Sequence, residues 1–403
     1  MKLIKCWMHL NFDSFNISMK SLHIISLHAI RLLKPRFLGV VLTALFCVIH
    51  ANVFSQSSFV TNNRQTIETE QLLDLIKRIP TKGIAFGHQD ATAYGVNWKD
   101  EDRLISFLSV KSDVKKVTGS YPSVIGFDLG HLELDKKENL DTVSFILIKD
   151  HVQRMYRKGA IITMSWHPNN PASDGSSWDT SHAVTHILEG GKYHSTYIQW
   201  IDKLSVFFKS LKDTHNKAIP VIFRPYHEMN GGWFWWGAAS CTPEEYRKLW
   251  KLTCKLLQKN GVNNLLFAFS PNTLANPQEF DLYYPGDEFV DIIGVDIYNH
   301  NGDSTFMVDL NNNLAILKKK AAEIDKPFVL SETGNISRSN KKDWWTQSLY
   351  PAIKNSGIAW VLVWRNANYK HFFASYEGDS AKNDFKNFVQ SDDILLLDQL
   401  KKI

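Results

Sequence analysis

Eight short apolar runs, each ending in polar or turn residues, constrain the fold of this chain more than any other feature. They are Gly83 to Gln89, Ser123 to Gly130, Ala160 to Pro168, Pro220 to Glu228, Leu265 to Asn272, Asp291 to Asn299, Pro327 to Gly334 and Ile358 to Asn366. Runs that are apolar on both faces fit strands covered on both sides, and helix-length spacers between them imply parallel pairing. Eight such units predict a single closed (β/α)8 barrel, the TIM-barrel architecture of the α/β class. Thr242 to Lys259 and Asn311 to Ile324 are two of the spacer helices. The first opens on Thr242-Pro243-Glu244-Glu245, a cap followed by Pro at the first position and acids in the first turn.

With 403 residues, 44% apolar and 22% charged, the chain can bury a sizeable core and is excluded from the disordered class. Residues 1–55 read as a cleaved targeting segment. Arg31, Lys34 and Arg36 precede an apolar stretch from Phe37 to Ile49, too short for a stable membrane span, and a small-residue exit follows at Val53-Phe54-Ser55. Met19 offers an alternative start, and Phe46 before Cys47 does not suit lipoprotein processing. Residues 56–403 then form the barrel domain, with no linker, low-complexity tract, second domain or membrane span. Its location is periplasmic, extracellular or at the cell surface, and it is expected to be a monomer or weak homodimer. The cysteines of that part are Cys241 and Cys254, set roughly 18 Å apart along a helix at ~1.5 Å per residue, which predicts unpaired buried thiols.

The strand ends carry the chemistry. In order they offer His88, Gln89 and Asp90; Asp128 and His131; Trp166 and His167; Arg224, His227 and Glu228; Ser270 and Asn272; Asp296 and Tyr298; Glu332; Trp364 and Arg365. Glu228 and Glu332 end the fourth and seventh runs, so a barrel sets them at the same depth on different sides of its mouth. Two such acids are the minimum equipment for cleaving a glycosidic bond. The plainer reading is a pair of structural carboxylates neutralised by Arg224 or Arg365. The loop from Asn169 to Ser181 follows the third run and faces the same mouth. Histidines at four strand ends would also suit a catalytic zinc, but strand 1 lacks His-x-His, strands 5 and 6 end without His, and strand 8 ends without Asp. No metal and no organic cofactor is expected. The net charge of +5 gives no electrostatic argument for nucleic acid, whereas 13 Trp and 13 Tyr supply faces that stack on sugar rings.

The stretch from His227 through Glu228, Met229, Asn230, Gly231, Gly232, Trp233, Phe234, Trp235 and Trp236 to Gly237 resembles the acid/base signature of glycoside hydrolase family 26. Ser331-Glu332-Thr333-Gly334 resembles that family's nucleophile strand. The likeness continues through Phe86 to Asp90, Tyr94-Gly95, Gly126 to His131, Ser165 to His167, Val295 to Tyr298 and Trp364-Arg365. The family's best-known members are endo-β-1,4-mannanases. The resemblance therefore implies retaining hydrolysis of β-1,4-mannosidic bonds in mannan or galactomannan, with Glu228 as acid/base and Glu332 as nucleophile. It also implies that Tyr298 donates to the nucleophile. His88, Trp166, His167, Trp178, His227, Trp233, Trp364 and Arg365 complete the expected sugar-binding walls, with Trp364 as a stacking floor.

Rival readings are another β-glycanase of the same family, acting on mixed-linkage β-1,3-1,4-glucan or β-1,3-xylan, a non-catalytic glycan-binding barrel, and a metal-dependent barrel hydrolase. Discrimination between axial and equatorial O2 rests on side-chain geometry that sequence does not display.

Overall fold

The computed structural model describes residues 65–100, 110–336 and 342–403. Contacts divide the chain into Met1–Asn62 and Asn63–Ile403, and the targeting segment expected over residues 1–55 lies outside the described residues. In the second unit, all eight apolar runs are strands: β1 (Ile84–Gln89), β2 (Val124–Asp128), β3 (Ile161–Trp166), β4 (Val221–Pro225), β5 (Leu265–Phe269), β6 (Ile292–Asn299), β7 (Phe328–Asn335) and β8 (Trp360–Val363). Each pairs in parallel with the next. The barrel closes where β8 pairs with β1 from Ala85↔Trp360 to His88↔Val363.

A short ninth strand, β9 (Ile394–Leu395), was not expected; it adds to the start of β1 through Ile84↔Ile394 and Ala85↔Leu395. The approach there depends on Gly83, because a Cβ at that position would lie 2.4 Å from the Asp393 carbonyl oxygen.

Side-chain alternation sorts the interior into two regions. Ala85, Val124, Ile161, Ile222, Leu266, Ile292, Val329 and Trp360 fill the lumen. Helix α1 (Ile67–Arg78) adds Leu72 and Ile76 to that cluster, so it stops the end of the barrel where the strands begin. The residues one step along each strand, among them Ile125, Ile162, Phe223, Ile293, Leu330 and Val361, face outward into a larger cluster shared with the surrounding helices. Those helices include α2 (Asp113–Thr118), α3 (Phe145–Arg157), α4 (His194–Ser210), α5 (Pro243–Lys259), α6 (Pro277–Tyr283), α7 (Asp303–Ile324) and α8 (Lys382–Val389).

Helix α7 starts at Asp303 rather than near Asn311; Gly302 precedes it, and Asn299 at the end of β6 ties to its first residue by donating from Nδ2 to Asp303 Oδ1 at 2.7 Å. Cys254 lies on the buried face of α5 and Cys241 precedes that helix; both are free and buried.

One irregularity aims a side chain. Between Leu330 and Thr333, β7 advances three residues while β6 advances two, from Val295 to Ile297, and β8 also two, from Val361 to Val363. The extra residue is a β-bulge. Val329 faces the lumen and Leu330 faces out, so strict alternation would put Ser331 inside and Glu332 outside. The bulge turns Glu332 inward beside Ser331.

Helix α5 has a reciprocal N-terminal cap: the Thr242 hydroxyl accepts from the Glu245 amide, and the Glu245 carboxylate accepts from the Thr242 amide at 2.7 Å. Thr242→Ala should cost about 1 kcal/mol. Thermal unfolding should register this as a fall of roughly 2 °C in Tm.

Candidate active site

The loop after β4 leaves the strand through two non-glycine residues with left-handed backbone, Tyr226 at φ 48° and Glu228 at φ 56°. This path puts the Glu228 carboxyl into the open end of the lumen. Gly231 then lets the chain fold back, since a Cβ there would meet the Trp233 ring at 2.4 Å. The returning indole donates from Nε1 to Glu228 Oε2 at 2.8 Å.

Across the mouth, Glu332 has a donor on each oxygen. Arg224 Nη2 donates to Oε1, and the Tyr298 hydroxyl donates to Oε2 at 2.7 Å. Arg224 also donates from Nη1 to Asp296 Oδ2 at 2.9 Å. The Ser331 hydroxyl donates to Asp296 Oδ1 at 2.7 Å, and Ser270 completes the network through contacts with Arg224 and Asp296. Oxygens of Glu228, Asp296 and Glu332 lie within 4.8 Å of one another. Among the described residues these are the carboxylates that could meet at a cation, yet the guanidinium of Arg224 already lies against two of them.

Burial, followed by the like charges of Asp296 and Glu332, pushes the Glu228 carboxyl well above the usual carboxylate range; Trp233 and Arg224 only partly oppose this. Burial also raises Asp296 against the pull of Arg224. Tyr298 is raised by burial and by the neighbouring Glu332 charge, so it remains a phenol that can donate. The arrangement thus pairs an acid pushed towards its protonated form, Glu228, with Glu332, which two donors hold.

The wall beside Glu228 is aromatic. His167 Nδ1 lies 2.6 Å from Asp128 Oδ2, and Asp128 also accepts from the Ser165 hydroxyl and the Gly130 amide. Burial disfavours the charged form of both partners. Their mutual attraction outweighs it, lowering the Asp128 pKa and raising that of His167. His227 meets His167 edge-on at 4.5 Å; burial, then the charges of Arg224 and His167, keep it neutral. Its Nε2 is 4.0 Å from Glu332 Oε1, too far for a hydrogen bond.

Trp178, 52% exposed, stacks on His167 at 5.5 Å, which gives the Asn169–Ser181 loop its contact with the mouth. Trp233 is 38% exposed. Trp364 is half-buried, packs on the lumen cluster, and meets His167 edge-on at 6.2 Å. Arg365 is held by Asp141 Oδ1 at 2.9 Å from Nη2, and donates from Nη1 to the Tyr94 hydroxyl at 3.2 Å.

Two expected wall residues are elsewhere. Trp166 shares the outward face of β3 with Ile162 and Met164; it is fully buried against Phe223 and Tyr226 and donates to Glu133 Oε2. His88 follows Ile84 and Phe86 on the outward face of β1 and is 1% exposed. Burial takes its pKa down to about 4, so it is a neutral ring behind the barrel wall. Conversely, Asp296, Arg224 and Asp128, which the sequence places at strand ends without a catalytic or sugar-binding role, belong to the site together with Asp141 and Phe234. The first three occupy strand ends that alternation points inward. Phe234 packs on both His167 and His227, at 5.4 and 5.3 Å. Asp141 has a loop position with no sequence signal.

The sequence profile of glycosyl hydrolase family 26 matches residues 60–361. The solved structure of a family 26 β-mannanase from Bacteroides ovatus superposes with a TM-score of 0.80 and 40% identity, covering 84% of this chain and 98% of that one. A modular endo-β-1,4-mannanase from Cellulomonas fimi superposes with a TM-score of 0.75 and 30% identity, covering 84% of this chain and 77% of that one. A mannan endo-1,4-β-mannosidase from Bifidobacterium adolescentis is 29% identical over 84% of this chain, which spans 35% of that relative's length.

Arg224→Met should leave two buried acids facing each other and cost about 3–5 kcal/mol. Denaturant unfolding should show this loss most fully at alkaline pH. It should shrink as pH falls through about 8, where burial has already moved the Asp296 pKa, because protonating Asp296 removes the repulsion.

Proposed function

Because the chain belongs to glycosyl hydrolase family 26, we propose that it is an exported endo-β-1,4-mannanase that cuts mannan or galactomannan with retention of configuration, without metal or organic cofactor. The observation that carries the reading is the gap between Glu228 and Glu332, whose nearest oxygens come within 4.8 Å. Retaining glycosidases separate their carboxyls by about 5–5.5 Å, and inverting ones by about 6.5–9.5 Å to admit a water. The mannanase names of the Bacteroides, Cellulomonas and Bifidobacterium relatives support the substrate class. Export rests on the basic and apolar pattern of residues 31–49.

In this account Glu332 attacks the anomeric carbon from one face while Glu228 gives its proton to the departing glycosidic oxygen. The C–O bond to the leaving sugar breaks as the Glu332–C1 ester forms. Esterification removes the Glu332 charge, one of the influences that raise the Glu228 pKa, so Glu228 stays ionised after giving up its proton and is free to accept one from the incoming water. Water then attacks C1, Glu228 takes its proton, and the ester bond breaks to restore the Glu332 carboxylate.

NMR of the first product from residues 56–403 acting on mannooligosaccharides should show the β-anomer before mutarotation; the α-anomer first would sink the retaining mechanism. Release of mannose oligomers from mannan or galactomannan should persist in EDTA, and exclusive action on mixed-linkage glucan or β-1,3-xylan would reassign the substrate.

Glu332→Ala should abolish turnover. Glu228→Gln should lower kcat/KM on oligosaccharides by about 10²–10⁴-fold while sparing aryl glycosides with good leaving groups. The basic limb of kcat/KM against pH should report Glu228 and lie above the ordinary carboxylate range. Trp233→Phe removes a hydrogen bond that favours the charged form, so that limb should move to higher pH.

A further inference from the structure

The backbone that delivers Glu228 is costly. Left-handed φ at a bulky aromatic residue such as Tyr226 is disfavoured and persists where its surroundings enforce it. Two hydrogen bonds hold the peptide groups on either side of His227: the Tyr246 hydroxyl of α5 donates to the Tyr226 carbonyl at 3.1 Å, and the Glu228 amide donates to the Ser270 carbonyl at 2.8 Å.

The Tyr226 ring is fixed as well. It is fully buried on the outer face of the barrel, 5.7 Å from Trp166 and 5.8 Å from Trp236. Its hydroxyl bonds to that of Tyr197, which lies 2.6 Å from Thr253 Oγ1; Thr253 in turn donates to the Leu249 carbonyl of α5 at 2.8 Å. The Tyr226 hydroxyl also lies 3.1 Å from Thr253 Oγ1, so with Thr253 donating into the helix every hydroxyl proton has an acceptor, whichever tyrosine donates to the other. Tyr246 is itself fully buried outside the barrel.

We propose that Tyr246 is a positioning residue for Glu228: its hydrogen bond to the Tyr226 carbonyl holds the left-handed turn that aims the acid/base carboxyl at the leaving group. The inference rests on the acid/base reading of Glu228 given above. Without that bond the Tyr226 peptide can rotate towards an ordinary conformation, carrying the Glu228 carboxyl out of register with Trp233 and Glu332. Tyr246 acts from behind the wall, so its loss should weaken proton donation and leave sugar binding intact.

The test is kcat/KM across aryl β-mannobiosides of graded leaving-group acidity, together with mannooligosaccharides, for the wild type, Tyr246→Phe and Tyr226→Phe. Proton donation matters little for a dinitrophenolate leaving group and greatly for a sugar alcohol. Tyr246→Phe should lose about 10- to 100-fold on oligosaccharides and poor phenols, with KM unchanged and the dinitrophenyl substrate spared. Tyr226→Phe, which keeps the Tyr246 bond to the Tyr226 carbonyl, should retain the wild-type dependence, and Tyr246→Met, which also removes the donor, decides the matter if Tyr246→Phe does not fold. Thr242→Ala, which weakens the start of the same helix, should lower Tm with no change in leaving-group dependence.

A uniform loss across leaving groups, or no loss, in the folded Tyr246 variants would overturn the proposal. A wild type that inverts configuration or hydrolyses no β-mannoside would instead overturn the acid/base reading on which it rests.

Discussion

Glu228, Asp296 and Glu332 crowd together at the open end of the barrel, and one guanidinium holds two of them. Arg224 bonds both Asp296 and Glu332, while Glu228 is bonded by the Trp233 indole. That asymmetry divides the labour. Glu332 is oriented by a cation and a phenol, while burial and the like charges of Asp296 and Glu332 raise the Glu228 pKa against the pull of Trp233 and Arg224. Asp296 serves the pair from below, anchored by Ser270 and Ser331 so that Arg224 cannot swing away.

Regular strands alone would not have produced this meeting. Glu332 reaches the lumen through a bulge in β7, without which it would share the outward face with Leu330. Glu228 reaches it through two left-handed residues beyond the end of β4. Both departures cost local stability, and the structure offsets them with hydrogen bonds from neighbouring elements: Ser331 to Asp296 on one side, Tyr246 and the Ser270 carbonyl on the other.

Much of the architecture was legible from periodicity. All eight strands coincide with apolar runs, and the Thr242-Pro243 start of α5 was readable because capping chemistry is local. The same alternation carries information that reading strand ends alone did not use. Counting by twos from Ala85 excludes His88 from the lumen, and counting from Ile161 excludes Trp166 while keeping Ser165 and His167. Counting from Ile222 admits Arg224, and from Ile292 admits Asp296 and Tyr298. Glu332 escapes this rule because a bulge leaves no mark on residue type. Asp141 and Phe234 escape it because they lie on loops, where placement depends on tertiary contacts. Ile394–Leu395 was too short a pairing to stand out as a strand.

The central claim, that Glu332 attacks while Glu228 supplies the proton, is tested most directly by trapping the covalent intermediate. A 2-deoxy-2-fluoro-β-mannosyl fluoride of suitable chain length slows hydrolysis of the ester more than its formation, so the labelled protein can be digested and the modified peptide sequenced by mass spectrometry. The account predicts stoichiometric labelling on Glu332, in the peptide that contains Ser331-Glu332-Thr333. Labelling on Glu228 or Asp296, or turnover of the reagent with no covalent adduct at any time point, would contradict it.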